Sequence, residues 1–296
     1  TLTFTPENWN QPQTVTLTAK QDSQDDDDQT ATITVGVSTS GSSDTTYAGG
    51  TINNQSVTVT TVDTDTAGFT IAEVGTGTSV TEAGGTDKFT VVLDSVPTGD
   101  VVFTLTPSDS TEASVSVSPS PLTFTSSDWN IPKTVTVTGL DDDIDDGNIG
   151  STITVEIDAS NTADSKYDDL SSKTVSVTTV DDDTSNFTIA ETSGGTSVTE
   201  GGNSDTFTVQ LASRPTANVV ISVQANNSAD VSVNPTSLTF TDSSTSWQTA
   251  QPVTVSAVND DVDDESVSST ITVEIDTSTA DPKYGDLSSK TVSVTT

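Results

Sequence analysis

The side chains able to do chemistry in this sequence are carboxylates, and they are bunched. Asp141, Asp142, Asp143, Asp145 and Asp146 form one run, Asp181, Asp182 and Asp183 another, and Glu82 stands upstream of both. The pattern recurs on either side. Asp22, Asp25 and Asp26 precede Asp63 and Asp65, while Glu200 precedes Asp260, Asp261, Asp263, Asp264 and Glu265. Asp fills 35 of the 44 acidic positions, so the supply is of short side chains with hard oxygen donors. Calcium takes six to eight such oxygens at about 2.3–2.6 Å. Carboxylates drawn within a few ångströms repel by roughly 4 kcal/mol per pair at an effective dielectric near 20, so a closed cluster of them calls for a cation. No loop has the EF-hand spacing. The competing reading is a set of solvated acidic loops that keep a surface protein soluble. Paired carboxylates also serve glycosidic acid–base catalysis. Here, however, the clusters repeat along the chain instead of marking one cleft, which argues against an enzyme.

Composition narrows the field further. The chain has 296 residues with 8 basic against 44 acidic, a net charge of −36, and no Cys or His. Thiol nucleophiles, imidazole bases, zinc sites and disulfides are thereby excluded. The charge opposes binding to nucleic acid or to an anionic membrane surface. No apolar run approaches the roughly 18 residues of a membrane span. No signal peptide is visible and the first residue is not Met, so the chain is expected to be a window on a longer protein.

The elements that must position the carboxylates are strands. Apolar residues alternate with Thr and Ser at period two, as in Val135–Val137, Ile153–Ile157 and Val175–Val177. This is the signature of half-buried strands with a β-branched residue inward and a hydroxyl outward. Gly, Asp, Asn, Ser and Pro punctuate them, and no helical segment is evident. The expected fold is all-β.

Internal repeats give the organisation. Leu122–Thr125 recurs as Leu2–Thr5 and Leu238–Thr241, and Phe69–Glu73 recurs as Phe187–Glu191. The period of 116–120 residues suits a whole β-sandwich and is too long for a solenoid unit. Residues 63–180 and 181–296 are expected to be two full repeats, with 1–62 the C-terminal half of another. A full repeat reads as seven strands, near 78–82, 87–93, 100–106, 113–124 (with a break), 133–139, 151–158 and 173–180. Alternating directions would end the first, third, fifth and seventh at one pole. Nine carboxylates, Glu82, Asp141–Asp143, Asp145, Asp146 and Asp181–Asp183, would then converge there.

In these features the repeat resembles a Calx-β domain, the calcium-binding Ig-like sandwich of sodium/calcium exchangers and of many large bacterial surface proteins. The resemblance rests on Val80–Gly85, Phe89–Leu93, the Asp141–Asp146 loop and Val180–Asp183. It covers both full repeats and, less strongly, the half repeat. It implies calcium held by Glu82, Asp142, Asp145, Asp146 and Asp181–Asp183. The acidic loop is shorter and richer in Asp than the family pattern, which leaves the number of ions per joint open.

Three recurrent features are read differently. Trp9, Trp129 and Trp247 occupy one place in each repeat and are expected to pack against the core, sugar stacking being the alternative. Tyr47, Tyr167 and Tyr284 are expected to plug a sandwich corner. Asn54, Asn186 and Asn226 head Asn-x-Ser/Thr sequons, and exposed hydroxyls offer O-linked sites. The sum is a non-enzymatic, extracellular repeat region of an adhesin, stalk or filament, in which calcium at acidic joints ties one sandwich to the next. Its expected partners are neighbouring repeats, with lateral or end-to-end self-association and glycans as further possibilities. A glycan- or receptor-binding module and a calcium sensor are the alternatives.

Overall fold

The structure is a computed structural model that describes residues 1–49, 52–192, 194–243, 246–259 and 265–296. It is all-β. The first sandwich packs a five-stranded sheet on a four-stranded one. The five-stranded sheet has the order β4 (Thr78–Thr81), β11 (Lys173–Val180), β10 (Ile149–Ile157), β6 (Val101–Pro107), β8 (Leu122–Phe124). Its partner runs β3 (Phe69–Glu73), β5 (Thr86–Leu93), β9 (Lys133–Gly139), β7 (Ala113–Val117). The second sandwich repeats this order with β13 (Thr196–Ser197), β20 (Lys290–Thr295), β19 (Ser268–Ile275), β15 (Val219–Ala225) and β17 (Ser237–Phe240) over β12 (Phe187–Glu191), β14 (Asp205–Leu211), β18 (Gln251–Ala257) and β16 (Val231–Asn234). Ahead of them stands the hairpin β1 (Gln29–Val35) and β2 (Gln55–Thr61).

The period-two pattern does the folding. In β9, Val135 and Val137 are fully buried while Thr134 is exposed and Thr136 and Thr138 are half-buried. Two separate cores result. One gathers Phe69, Phe89, Phe103, Phe124 and Tyr167, the other Phe187, Phe207, Phe240, Trp247 and Tyr284. The β1–β2 hairpin has no facing sheet among the described residues. Accordingly Phe4, Val15, Leu17 and Tyr47, whose counterparts in the first sandwich include the buried Phe124, Val135, Val137 and Tyr167, are exposed.

Strand direction places the chain's acidic segments. β4 pairs with β11 in parallel, Thr78 opposite Val177. β10 is antiparallel to both β11 and β6, so β4, β6 and β11 all run the same way. β9 ends beside them, with the Gly139 N–H donating to Gly85 O and the Leu140 N–H to Glu112 O.

Two elements depart from the sequence expectation. Phe69–Glu73, seen in the sequence only as a repeated motif, is a further strand, β3, at a sheet edge, and with 113–124 split into β7 and β8 the sandwich has nine. Three single helical turns also occur: α1 (Thr45–Ala48), α2 (Ser165–Asp168) and α3 (Pro282–Gly285). Each is started by an Asp cap (Asp44, Asp164, Asp281) that accepts the N–H two residues on, a local device too short to leave a helical period.

Both complete corners are closed by tyrosine. The Tyr167 hydroxyl donates to Ser95 O (2.7 Å) and the Tyr284 hydroxyl to Ser213 O (2.6 Å). Trp129 is partly buried against the first core, and Trp247 is 6% exposed in the second, whereas Trp9 is 71% exposed. Trp247→Ala is therefore expected to cost its sandwich about 3–5 kcal/mol. Trp9→Ala should cost under about 0.5 kcal/mol. Urea unfolding of the full chain followed by tryptophan fluorescence and circular dichroism measures both.

Candidate metal centre at the acidic pole

Glu82 sits at the end of β4, its N–H donating to Val180 O of the parallel neighbour (3.1 Å). It is 1% exposed. Around it two groups of three carboxylates close to within 4.8 Å: Glu82, Asp181 and Asp183, and Glu82, Glu112 and Asp142. Glu82 is common to both. Its Oε2 and the Oε2 of Glu112, a residue only 5% exposed, are buried without a hydrogen-bond partner. An ionised oxygen in that state is costly unless a cation meets it.

The surrounding aspartates are aimed by backbone groups. Asp142 Oδ1 accepts the Ile144 N–H (2.7 Å), Asp181 Oδ2 the Gly147 N–H (2.6 Å), and Asp181 Oδ1 the Asp183 N–H (2.8 Å). Electrostatics record the crowding. Burial, and then Asp142, Asp181, Asp146 and Glu112, push the Glu82 carboxyl up to about 7. Burial, and then Asp143, Asp181 and Asp182, push Asp183 up to about 6. Glu112 is raised by the same combination of burial and neighbouring charge, Asp146 foremost among the neighbours.

The remaining sequence candidates divide. Asp141, Asp143, Asp146 and Asp182 lie on the same pole and are exposed. Asp145 is held elsewhere: its Oδ2 accepts the Ser185 N–H (2.7 Å) and its Oδ1 the Lys283 ammonium (2.9 Å) of the second sandwich. Those two bonds, the Ser185 one first, hold its carboxyl below the usual aspartate range. Asp25 has the same fate, bonded to the Ala67 N–H and Lys166.

In the leading hairpin the loop keeps much of its shape although no Glu-bearing strand accompanies it among the described residues. Asp22 Oδ1 accepts the Gln24 N–H, Asp63 Oδ2 the Asp26 N–H, and Asp63 Oδ1 the Asp65 N–H. The Asp22 bond and the Asp63 Oδ1 bond match those of Asp142 and Asp181 Oδ1, while Asp63 Oδ2 takes an N–H one repeat position earlier than Asp181 Oδ2 does.

In the second sandwich Glu200 is half-buried and Glu265 exposed. Asp260, Asp261, Asp263 and Asp264 lie outside the described residues. Glu112 was the residue that sequence reasoning passed over. The signal was available, because the third strand, β6, ends at the acidic pole and Asp109 and Glu112 follow it. Asp230 is its counterpart in the second sandwich.

No family model matches this chain, and no curated protein matches it. Solved structures that share its β-domain character include surface layer protein SbsC, domains 4–9. It is 20% identical, with 82% of this chain and 33% of that one covered and a TM-score of 0.27. CBD12 from CALX1.2 is 13% identical, covering 71% of this chain and 82% of that one, with a TM-score of 0.28. Zebrafish RET cadherin-like domains 1 to 4 are 10% identical, covering 94% and 59%, with a TM-score of 0.24. This chain thus spans about a third of the SbsC structure, and at these TM-scores no functional weight attaches to any of the three. Among the described residues, no helix is long and apolar enough to cross a membrane.

The raised carboxyls fix a pH dependence. Glu82 at about 7 and Asp183 at about 6 lie above their ordinary values of 4.5 and 3.8. The folded state therefore binds protons that the unfolded chain has lost, and stability falls as pH rises through that interval. Without metal, the melting temperature should decline between about pH 4 and pH 7. Glu82→Gln should flatten the upper part of that decline and leave the variant more stable than the parent at pH 8 in chelator. Thermal melts across pH in excess chelator read both.

Proposed function

We propose that this chain is a non-enzymatic structural segment of an extracellular surface protein, built of repeats bounded at 63–180 and 181–296 with 1–62 as a half repeat. In this reading calcium occupies the acidic pole and stiffens the array. The observation that carries it is Glu82, a carboxylate buried at a strand end, with an unpartnered oxygen and two sets of carboxylates converging on it. A dense set of oxygen donors without nitrogen or sulfur suits a hard cation, and the size of the cluster suits calcium better than magnesium, which keeps most of its waters.

The cation would bridge Glu82 and Glu112 of the sandwich body to Asp181 and Asp183, which lead directly into β12. Metal bound there joins one repeat to the start of the next. Each filled site also stabilises the fold by mass action, since the unfolded chain lacks the constellation. The exposed Thr and Ser strand faces and the net charge of −36 fit a soluble spacer at the cell surface. Self-association of repeats and glycan attachment at Asn54, Asn186 or Asn226 belong to the same proposal.

Small-angle X-ray scattering of the full chain, in calcium and then in excess chelator, tests the reading. A longer and narrower distance distribution in calcium, with calorimetric titration showing uptake that Glu82→Gln abolishes, is the expected result. An unchanged profile with no calcium uptake would overturn it and leave the acidic loops as solubilising surface.

A further inference from the structure

The contacts across the two joints recur with the repeat. In the first, Asp25 Oδ2 accepts the Ala67 N–H (2.8 Å), Asp25 Oδ1 accepts Lys166 Nζ (2.9 Å), and the Val96 N–H donates to Ser23 O (2.7 Å). In the second, Asp145 Oδ2 accepts the Ser185 N–H (2.7 Å), Asp145 Oδ1 accepts Lys283 Nζ (2.9 Å), and the Arg214 N–H donates to Asp143 O (2.6 Å). Each participant in one joint is the repeat counterpart of a participant in the other. Each interface is thus built from one acidic loop and one receiving surface, in a fixed orientation.

The receiving surface is organised before the loop arrives. Lys166 and Lys283 ride on α2 and α3, whose caps Asp164 and Asp281 are 4% and 2% exposed. The second oxygen of each cap accepts a further backbone N–H, from Thr98 (2.7 Å) and Thr216 (2.6 Å). The next residue is the buried corner tyrosine. The backbone that carries each lysine is thus fixed by the cap and the tyrosine, which lowers the cost of ordering the contact.

The two joints differ in how many carboxylates meet the lysine. In the first, Asp27 adds a second carboxylate to Lys166 (2.7 Å). Its counterparts are Gly147 in the second loop and Glu265 in the third. All three have left-handed backbone, with φ of 60°, 80° and 59°. A Cβ at Gly147 would meet nothing within 4 Å. At a φ of 80° a side chain at Gly147 carries left-handed strain whatever the space, a strain that Asp27 and Glu265 already bear, so a carboxylate there is sterically open at that cost.

We infer that the lysine-bearing pole of each sandwich is a docking socket for the acidic loop of the preceding repeat, that this docking operates without metal, and that the residue at position 27, 147 or 265 sets how many carboxylates grip the lysine. The occupant is a second repeat of this kind, recognised by an aspartate two residues before the left-handed position. This goes beyond the calcium reading and does not rest on it, because Asp25 and Asp145 are bonded to the neighbour and stand outside both carboxylate groups around Glu82.

Paired spin labels at Ser116→Cys and Ser232→Cys, both exposed strand positions in a chain free of cysteine, report the second joint in the full-length protein. Distances would be measured in excess chelator at low salt. Lys283→Ala should broaden the distribution, and Gly147→Asp should narrow it. The narrowing should vanish in the Gly147→Asp/Lys283→Ala double variant and in 1 M NaCl, where the Debye length is about 3 Å. Circular dichroism melts confirm folding of each variant. A distribution unmoved by Lys283→Ala, or narrowed equally by Gly147→Asp with and without the lysine, would overturn the inference. Whether calcium further narrows the parent distribution reads the metal proposal separately.

Discussion

The structure turns on a buried carboxyl. Glu82 closes the strand that pairs in parallel with β11, and that pairing puts it beside Asp181 and Asp183, while the start of β7 delivers Glu112 and the end of β9 delivers Asp142. Moving the carboxylates apart would require breaking the strand directions, which the valine, isoleucine and phenylalanine positions fix through the core. The apolar interior therefore holds like charges together against repulsion of roughly 4 kcal/mol per close pair at an effective dielectric near 20. Two outcomes relieve such a cluster, protonation or a cation, and at neutral pH in a calcium-containing medium the second dominates the proposed account.

One short loop does two jobs because its residues point to different neighbours. Asp142 is turned by the Ile144 N–H toward Glu82, whereas Asp145 crosses to the Ser185 N–H and to Lys283. Charge alone does not separate them, since both are half-buried aspartates three residues apart. Partners do: one is crowded by carboxylates, the other meets an ammonium and an amide. One loop thus carries both the carboxylate that faces Glu82 and the carboxylate that meets the next sandwich.

Much of this was legible in the sequence, because its causes are local or periodic. Alternating Val and Thr declared the strands, and the repeat of Phe69–Glu73 as Phe187–Glu191 declared the unit length. Counting strand directions gave the expectation that Glu82 and the two Asp runs share a pole; of those runs Asp142, Asp181 and Asp183 stand in the groups around Glu82, while Asp145 turns to Lys283. What escaped depended on contacts that no run or period marks. Glu112, with Asp109 close by in a Ser/Thr-rich stretch, belongs to no acidic run and gains meaning only from the connection between β6 and β7 that places it. The engagement of Asp145 by Lys283 spans 138 residues and needs the short α3 turn, which leaves no helical period. Strand β3 was hidden for a similar reason, being five residues long at a sheet edge.

The most direct test is anomalous diffraction from crystals of the chain grown with millimolar calcium. The account predicts a peak flanked by Glu82, Asp181 and Asp183, with carboxylate oxygens at about 2.3–2.6 Å. A calcium-grown crystal with no peak at Glu82, its carboxyl instead hydrogen-bonded as a protonated acid to a neighbouring carboxylate, would contradict it.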